Sequence, residues 1–207
     1  MNDVERIIKL SSQAFVKLVW PQLREHVGGG KIIPVETVTD EIFTKELDTL
    51  AGIDAWHVFD NSMGLRGIAS RVQPRYNGNK EARGFGKDGY RTFTVRAQTK
   101  YGNKTEEHKR LFALMADRDS VLFPWMTVQA YVERYDGPLL SVAAIGTRDF
   151  FTAYFPLKET FRMQPVEGGN TMRVIPWSWL RNNNISIWIW PDDTEAQTIP
   201  LFGEEGA

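Results

Sequence analysis

A mixed α/β fold is the architecture this sequence predicts, on three observations. Residues 4–26 place apolar side chains at Val4, Ile7, Ile8, Phe15, Val16, Leu18, Val19 and Leu23, close to helical spacing. Stretches dense in β-branched and aromatic residues, first Ile53–Phe59 and then Leu65–Gln73 across a turn at Asp60–Gly64, read as paired strands. A second helical pattern opens at Thr105, after the strands have begun, so helices and strands interleave along the chain. With 42% hydrophobic and 25% charged residues over 207 positions, the composition is that of a globular protein able to bury a sizeable core.

The elements follow in order. Asn2 and Asp3 are candidate caps for the first helix, Pro21 is expected to kink or split it, and Gly28-Gly29-Gly30 ends it. Residues 32–36 read as a short extended piece. Thr39 opens a helix to about Leu50, with Ile42, Phe43, Leu47 and Leu50 on one side. Residues 74–89, rich in glycine and charge with almost nothing to bury, read as a mobile basic loop. Tyr90–Thr99 alternates as a strand. Thr105 is expected to cap a helix to Ala116 whose Leu111, Phe112, Leu114 and Met115 face the core. Thr127–Glu133, Leu139–Gly146 and Phe150–Phe155 read as three further strands. Met172–Pro176, a short helix near Trp177–Arg181 and a strand Ile185–Trp190 complete the pattern. The expected organisation is one domain over 1–191, with C-terminal strands from 136, and a flexible acidic tail over 192–207.

Composition excludes several chemistries. The chain has no cysteine, so disulfides, thiol catalysis and thiolate zinc sites are ruled out. Its three histidines, His26, His57 and His108, lie far apart in sequence. No apolar run approaches the length of a membrane span and no signal-peptide pattern opens the chain, so a cytoplasmic protein without a membrane partner is expected.

The formal net charge of −1 conceals a strong asymmetry. Residues 1–65 are net −4 and residues 66–110 net +8, while 111–191 balance and the tail carries five acids with no base. In the basic stretch Arg75, Lys80, Arg83, Lys87, Arg91, Arg96 and Lys100 are interleaved with Tyr76, Phe85, Tyr90, Phe93 and Tyr101. Cations for phosphates beside rings for stacking are what nucleic-acid binding requires. The bland alternative is solvation and protection of a sheet edge. Gly84-Phe85-Gly86-Lys87 lacks the spacing of a phosphate-binding P-loop, which leaves nucleotide hydrolysis unsupported.

The residues most suggestive of chemistry are Glu46, Asp48 and Asp54 before the first hairpin strand, with Ser70, Arg71 and Gln73 on its partner. An acid at the mouth of one strand, facing polar or basic groups on the antiparallel neighbour, can hold a divalent cation against a phosphate. This arrangement, Gly52-Ile53-Asp54 followed one hairpin later by Ala69-Ser70-Arg71, resembles the restriction-endonuclease-like PD-(D/E)XK superfamily in a degenerate form. The resemblance covers about 1–135 in order of elements and about 20 residues in motif. It implies a central sheet flanked by helices. It also implies a DNA-binding protein, a Mg²⁺- or Mn²⁺-dependent endonuclease of a mobile element or phage-defence system, with Asp54, Arg71 and Gln73 catalytic. Asp54 would then hold the metal with Glu46 or Asp48.

Ala69 stands where the family has a second acid, and Arg71 where it has lysine. Arginine clamps a phosphate but is a poor base. Either a displaced acid (Glu46, Asp48 or Asp60) completes the site, or the module is inactive and serves as a nucleic-acid- or protein-binding subunit. Trp188 and Trp190, two apart on the last strand, share a face that is either a core wall or a protein-contact patch.

Overall fold

A computed structural model describes residues 3–37, 52–60, 64–76, 90–101, 105–116, 122–166 and 169–192. Helix α1 (Asp3–Ala14) runs through a π-helical turn at Phe15–Val19 into α2 (Trp20–His26). The helix is thus split as Pro21 suggested. Proline falls in the first turn of α2, where its missing N–H costs nothing. The break keeps Phe15, Val19, Trp20 and Leu23 buried together.

Six strands form the main sheet, in the order β1 (Lys31–Pro34), β2 (Ala55–Val58), β3 (Leu65–Pro74), β5 (Met126–Val132), β6 (Leu139–Gly146), β9 (Ile187–Trp190). All neighbours are antiparallel except β3 and β5, which run parallel in the register Ile68↔Met126 to Pro74↔Val132. Between β3 and β5 the chain leaves this sheet to lay down β4 (Thr92–Gln98), the first strand of a second sheet with the order β4, β8 (Asn170–Pro176), β7 (Arg162–Val166).

Strand alternation divides the core in two. On one face of the main sheet Ile68, Val72, Met126, Val128, Ala130 and Val142 pack against α1, the π turn and α2. On the other, Tyr131, Ala143, Ile145 and Ile189 meet Phe93, Val95 and Ile175 of the second sheet. Helices α4 (Thr147–Leu157) and α5 (Trp177–Asn182) complete that layer with Phe150, Phe151, Tyr154, Trp177 and Leu180.

The mixed α/β class holds, with three corrections inside it. Phe150–Phe155 is helical, within α4. Its aromatic residues suggest a strand, but Phe150, Phe151 and Tyr154 recur at helical spacing and form one buried stripe. Strand β7 carries no alternating pattern and was not expected from the sequence. Helix α3 (Glu106–Met115) begins where expected, with Thr105 Oγ1 accepting from His108 N at 3.2 Å. Of the four residues expected to face the core, Leu114 packs against it, whereas Leu111, Phe112 and Met115 are exposed. Glu107, Arg110 and Ala113 are buried, while Phe112 is 65% and Met115 80% exposed. The expected helix at 39–50, most of the basic loop and the tail beyond Asp192 lie outside the described residues. Among the described residues no helix is long and apolar enough to cross a membrane.

Candidate phosphate-binding cleft

Thr92, Thr94 and Arg96 alternate along β4 with the core residues Phe93 and Val95. Each makes a tie to another element. Tyr131 Oη of β5 donates to Thr92 O at 2.9 Å, and burial raises this phenol well above its ordinary range. Thr94 Oγ1 donates to Gln129 Oε1 at 3.2 Å. Arg96 N donates to Glu106 Oε2 at 3.3 Å.

Arg71 enters this gap from β3. It pairs with Gln129 in the parallel ladder, so both side chains leave the main sheet on the same face. Its Nη1 donates to Thr94 O at 2.5 Å and Thr94 Oγ1 at 2.7 Å, and its Nη2 to Glu106 Oε2 at 2.9 Å. Three of the five donors on a guanidinium are thereby engaged. Arg71 and Glu106 keep 26% and 23% exposure, so their ion pair borders solvent.

Asp54 immediately precedes β2 and belongs to its ladder. Its N–H donates to Ile68 O, and its carbonyl accepts from Val35 N. Its Oδ2 accepts from Ser70 N at 2.5 Å, so the acid of Gly-Ile-Asp lies against the Ala69-Ser70-Arg71 tripeptide. Arg110, buried on α3, donates to Gly52 O at 3.0 Å and stands in the fields of both Glu106 and Asp54. Gly52 has a φ of +59°, and a Cβ there would come within 2.8 Å of the Arg110 guanidinium. The left-handed backbone favours glycine, and a side chain there would also shift the Arg110 guanidinium. Burial would raise the Glu106 carboxyl, but Arg71 and Arg110 outweigh it. Assisted by the Arg96 N–H, they hold Glu106 below the usual carboxylate range.

These groups line a cleft of about 680 Å³ that also reaches Ile7, Ile8, Ser11 and Ser12 of α1. Four cationic side chains, Arg71, Arg96, Lys109 and Arg110, share it with the carboxylates of Glu36, Asp54 and Glu106. Gln129 lies at its wall, 2% exposed, with its amide Nε2 unpartnered among the described residues.

The structure thus brings together Asp54, Arg71 and Arg96. It does not bring in Gln73, which shares the Arg71 face by alternation but lies outside the cleft lining, its Oε1 buried and without a partner among the described residues. Arg75 lies at the end of β3 against the rings of Tyr76 and Tyr90, at 5.4 and 5.8 Å. Arg91 donates to Pro191 O at 3.5 Å, and Lys100 lies 5.5 Å from the Tyr101 ring. Asp60 is no displaced acid of this site. It accepts from Gly30 N at 2.9 Å and pairs with Arg24 at 3.5 Å. Glu46, Asp48, Lys80, Arg83 and Lys87 lie outside the described residues.

Among the described residues no three His, Asp or Glu side chains converge as a metal site. Asp54 and Glu106 are instead interleaved with two guanidiniums, which a divalent cation would have to face. The described set suits an oxyanion better than Mg²⁺ or Mn²⁺.

Sequence reasoning missed Glu106, Lys109, Arg110, Thr94 and Gln129. The available signal was the spacing of Glu106, Arg110 and Ala113, one stripe of a helix. Trp188 and Trp190 pack on the α1–α2 side of the core, as a wall of it. The chain matches no family model, no curated protein and no solved structure.

Proposed function

We propose that this protein binds nucleic acid, specifically DNA, through the phosphate backbone, in the cleft between β3, β4 and α3. The observation that carries the reading is the convergence of Arg71, Arg96, Lys109 and Arg110 on one open cleft, from a segment that is net +8 in sequence. Guanidiniums recognise phosphate through paired hydrogen bonds, and Arg71 has donors left to offer once Thr94 and Glu106 are satisfied. Thr94 anchors its Nη1 through two hydrogen bonds, so its orientation is set before binding. A restriction-endonuclease-like module that binds without cutting fits the same features. Asp54 lies across the hairpin from Ala69-Ser70-Arg71, where its carboxylate accepts from Ser70 N, and Glu106 is paired with Arg71.

A second reading, Mg²⁺- or Mn²⁺-dependent cleavage, is favoured by one contact, the Asp54 carboxylate on the backbone of Ser70. It requires further acids, for which Glu46 and Asp48 remain the sequence candidates.

Fluorescence anisotropy with labelled single- and double-stranded DNA at stepped salt concentrations tests the first reading. Binding that weakens steeply with salt, and is lost in Arg71→Gln, is expected. Absence of binding at 50 mM salt would overturn it. Incubation of supercoiled DNA with Mg²⁺ or Mn²⁺, with Asp54→Ala as control, tests the second. Cleavage in the wild type alone is its expected result.

A further inference from the structure

We infer that the Glu106 carboxylate occupies the phosphate subsite of this cleft, acting as a built-in oxyanion that a ligand phosphate displaces. The inference rests on the phosphate-binding reading above and names the atoms at which the phosphate would sit.

Carboxylate and phosphate oxygens are recognised by the same guanidinium fork. Glu106 Oε2 takes Arg71 Nη2 at 2.9 Å and Arg96 N at 3.3 Å, a donor pair from two different elements converging on one oxygen. The pair borders solvent on both sides, so an incoming anion can reach it. Arg71 does not depend on Glu106 for its position, because both Nη1 hydrogen bonds go to Thr94. Withdrawal of the carboxylate would leave the fork in place and open.

Gln129 supplies an independent observation. Its Oε1 is satisfied by Thr94, yet its Nε2 is buried in the cleft wall without an acceptor among the described residues. Buried amide donors are rarely left unpaired. A phosphate in the place of the withdrawn carboxylate brings three or four oxygens instead of two, enough to offer Nε2 an acceptor once Glu106 no longer fills the subsite. The shared chemistry is a phosphate oxyanion, either in a DNA backbone or as free phosphate.

The test compares wild type with Glu106→Gln, using labelled oligothymidylate and inorganic phosphate as separate probes. Removal of the competing charge is expected to tighten oligonucleotide binding about tenfold. The slope of log affinity against log salt should stay the same, because both complexes neutralise the same number of phosphates. Glu106→Asp retracts the charge by one methylene and should shift affinity the same way by less. It serves in place of Glu106→Gln should that variant fail to fold.

Unchanged or weaker binding in the folded variant overturns the subsite. If Arg71→Gln still abolishes wild-type binding in that case, the nucleic-acid reading survives alone. A gain for inorganic phosphate without one for the oligonucleotide supports the subsite and overturns the DNA backbone as its ligand. No binding of either probe by either protein overturns both.

Discussion

Arg71, Glu106 and Arg110 form an alternating charge chain in which each member is held by a neutral group as well as by its neighbours. Thr94 holds the first, the Arg96 N–H the second and the Gly52 carbonyl the third. Glu106 titrates below an ordinary glutamate, so its stabilisation is complete above the ordinary value and is lost as pH falls through the lower folded value. Glu106→Gln should therefore be less stable than wild type at neutral pH by about 1 kcal/mol or more. The gap should close in acid, below the usual carboxylate range. Urea melts at pH 7 and pH 3 would show it, and a gap that stayed constant would mean that Glu106 contributes no charge-linked stability. At Gly52, alanine has to accept a left-handed backbone and displace Arg110. We expect a loss of about 1–3 kcal/mol, with weaker DNA binding at the same time.

The aspartate of this site was legible in the sequence because Gly-Ile-Asp opens a strand whose partner is one hairpin away. Glu106 and Gln129 were not. Their partners stand 35 residues distant in each case, from Arg71 to Glu106 and from Thr94 to Gln129, and no local pattern encodes such pairs.

Among the elements, α3 departs most from expectation, and for a physical reason. Glu107 pairs with Lys158 at 2.7 Å and approaches Arg173 at 3.7 Å, while Arg110 reaches Gly52. The polar stripe therefore finds distant partners inside, beside Ala113, and Leu111, Phe112 and Met115 are left outside. An amphipathic pattern shows that a helix has two faces. It assigns the apolar one to the core only when the polar one lacks buried partners. The consequence is measurable. Phe112→Gln should change stability by no more than about 0.5 kcal/mol, where a core phenylalanine would cost several. Arg173→Met should cost considerably more, because it leaves the buried Glu107 with less compensation. Helix α4 teaches the converse. β propensity favours a strand at Phe150–Phe155, and the packing of one aromatic stripe against Phe93 and Phe161 decides for a helix.

At the scale of the molecule, the charge asymmetry read from sequence is distributed over at least two places. Arg71, Arg96, Lys109 and Arg110 line the cleft, whereas Arg75, Arg91 and Lys100 engage rings or a carbonyl elsewhere. Replacing Arg83, Lys87 and Arg91 together by glutamine should flatten the salt dependence of DNA binding by as many units as those residues contact phosphates. An unchanged slope would mean that Arg83, Lys87 and Arg91 make no backbone contacts. The order of strands, helices and turns was largely visible in the sequence. The division into two sheets was not, because Thr92–Gln98 alternates equally well whichever sheet it joins.

The parallel pairing of β3 with β5 sets a further condition on this protein. Ile68 must find Met126, 58 positions away, before the centre of the main sheet exists, and β4 and α3 are spooled out in between. Loop closure on that scale precedes any reward from the ladder, so this pairing slows folding relative to a sheet built from local hairpins alone. During synthesis, Arg71, Thr94 and Glu106 leave the ribosome well before the β5 residues that wall their cleft. Nascent chains thus carry the cations of the site before they carry its shape.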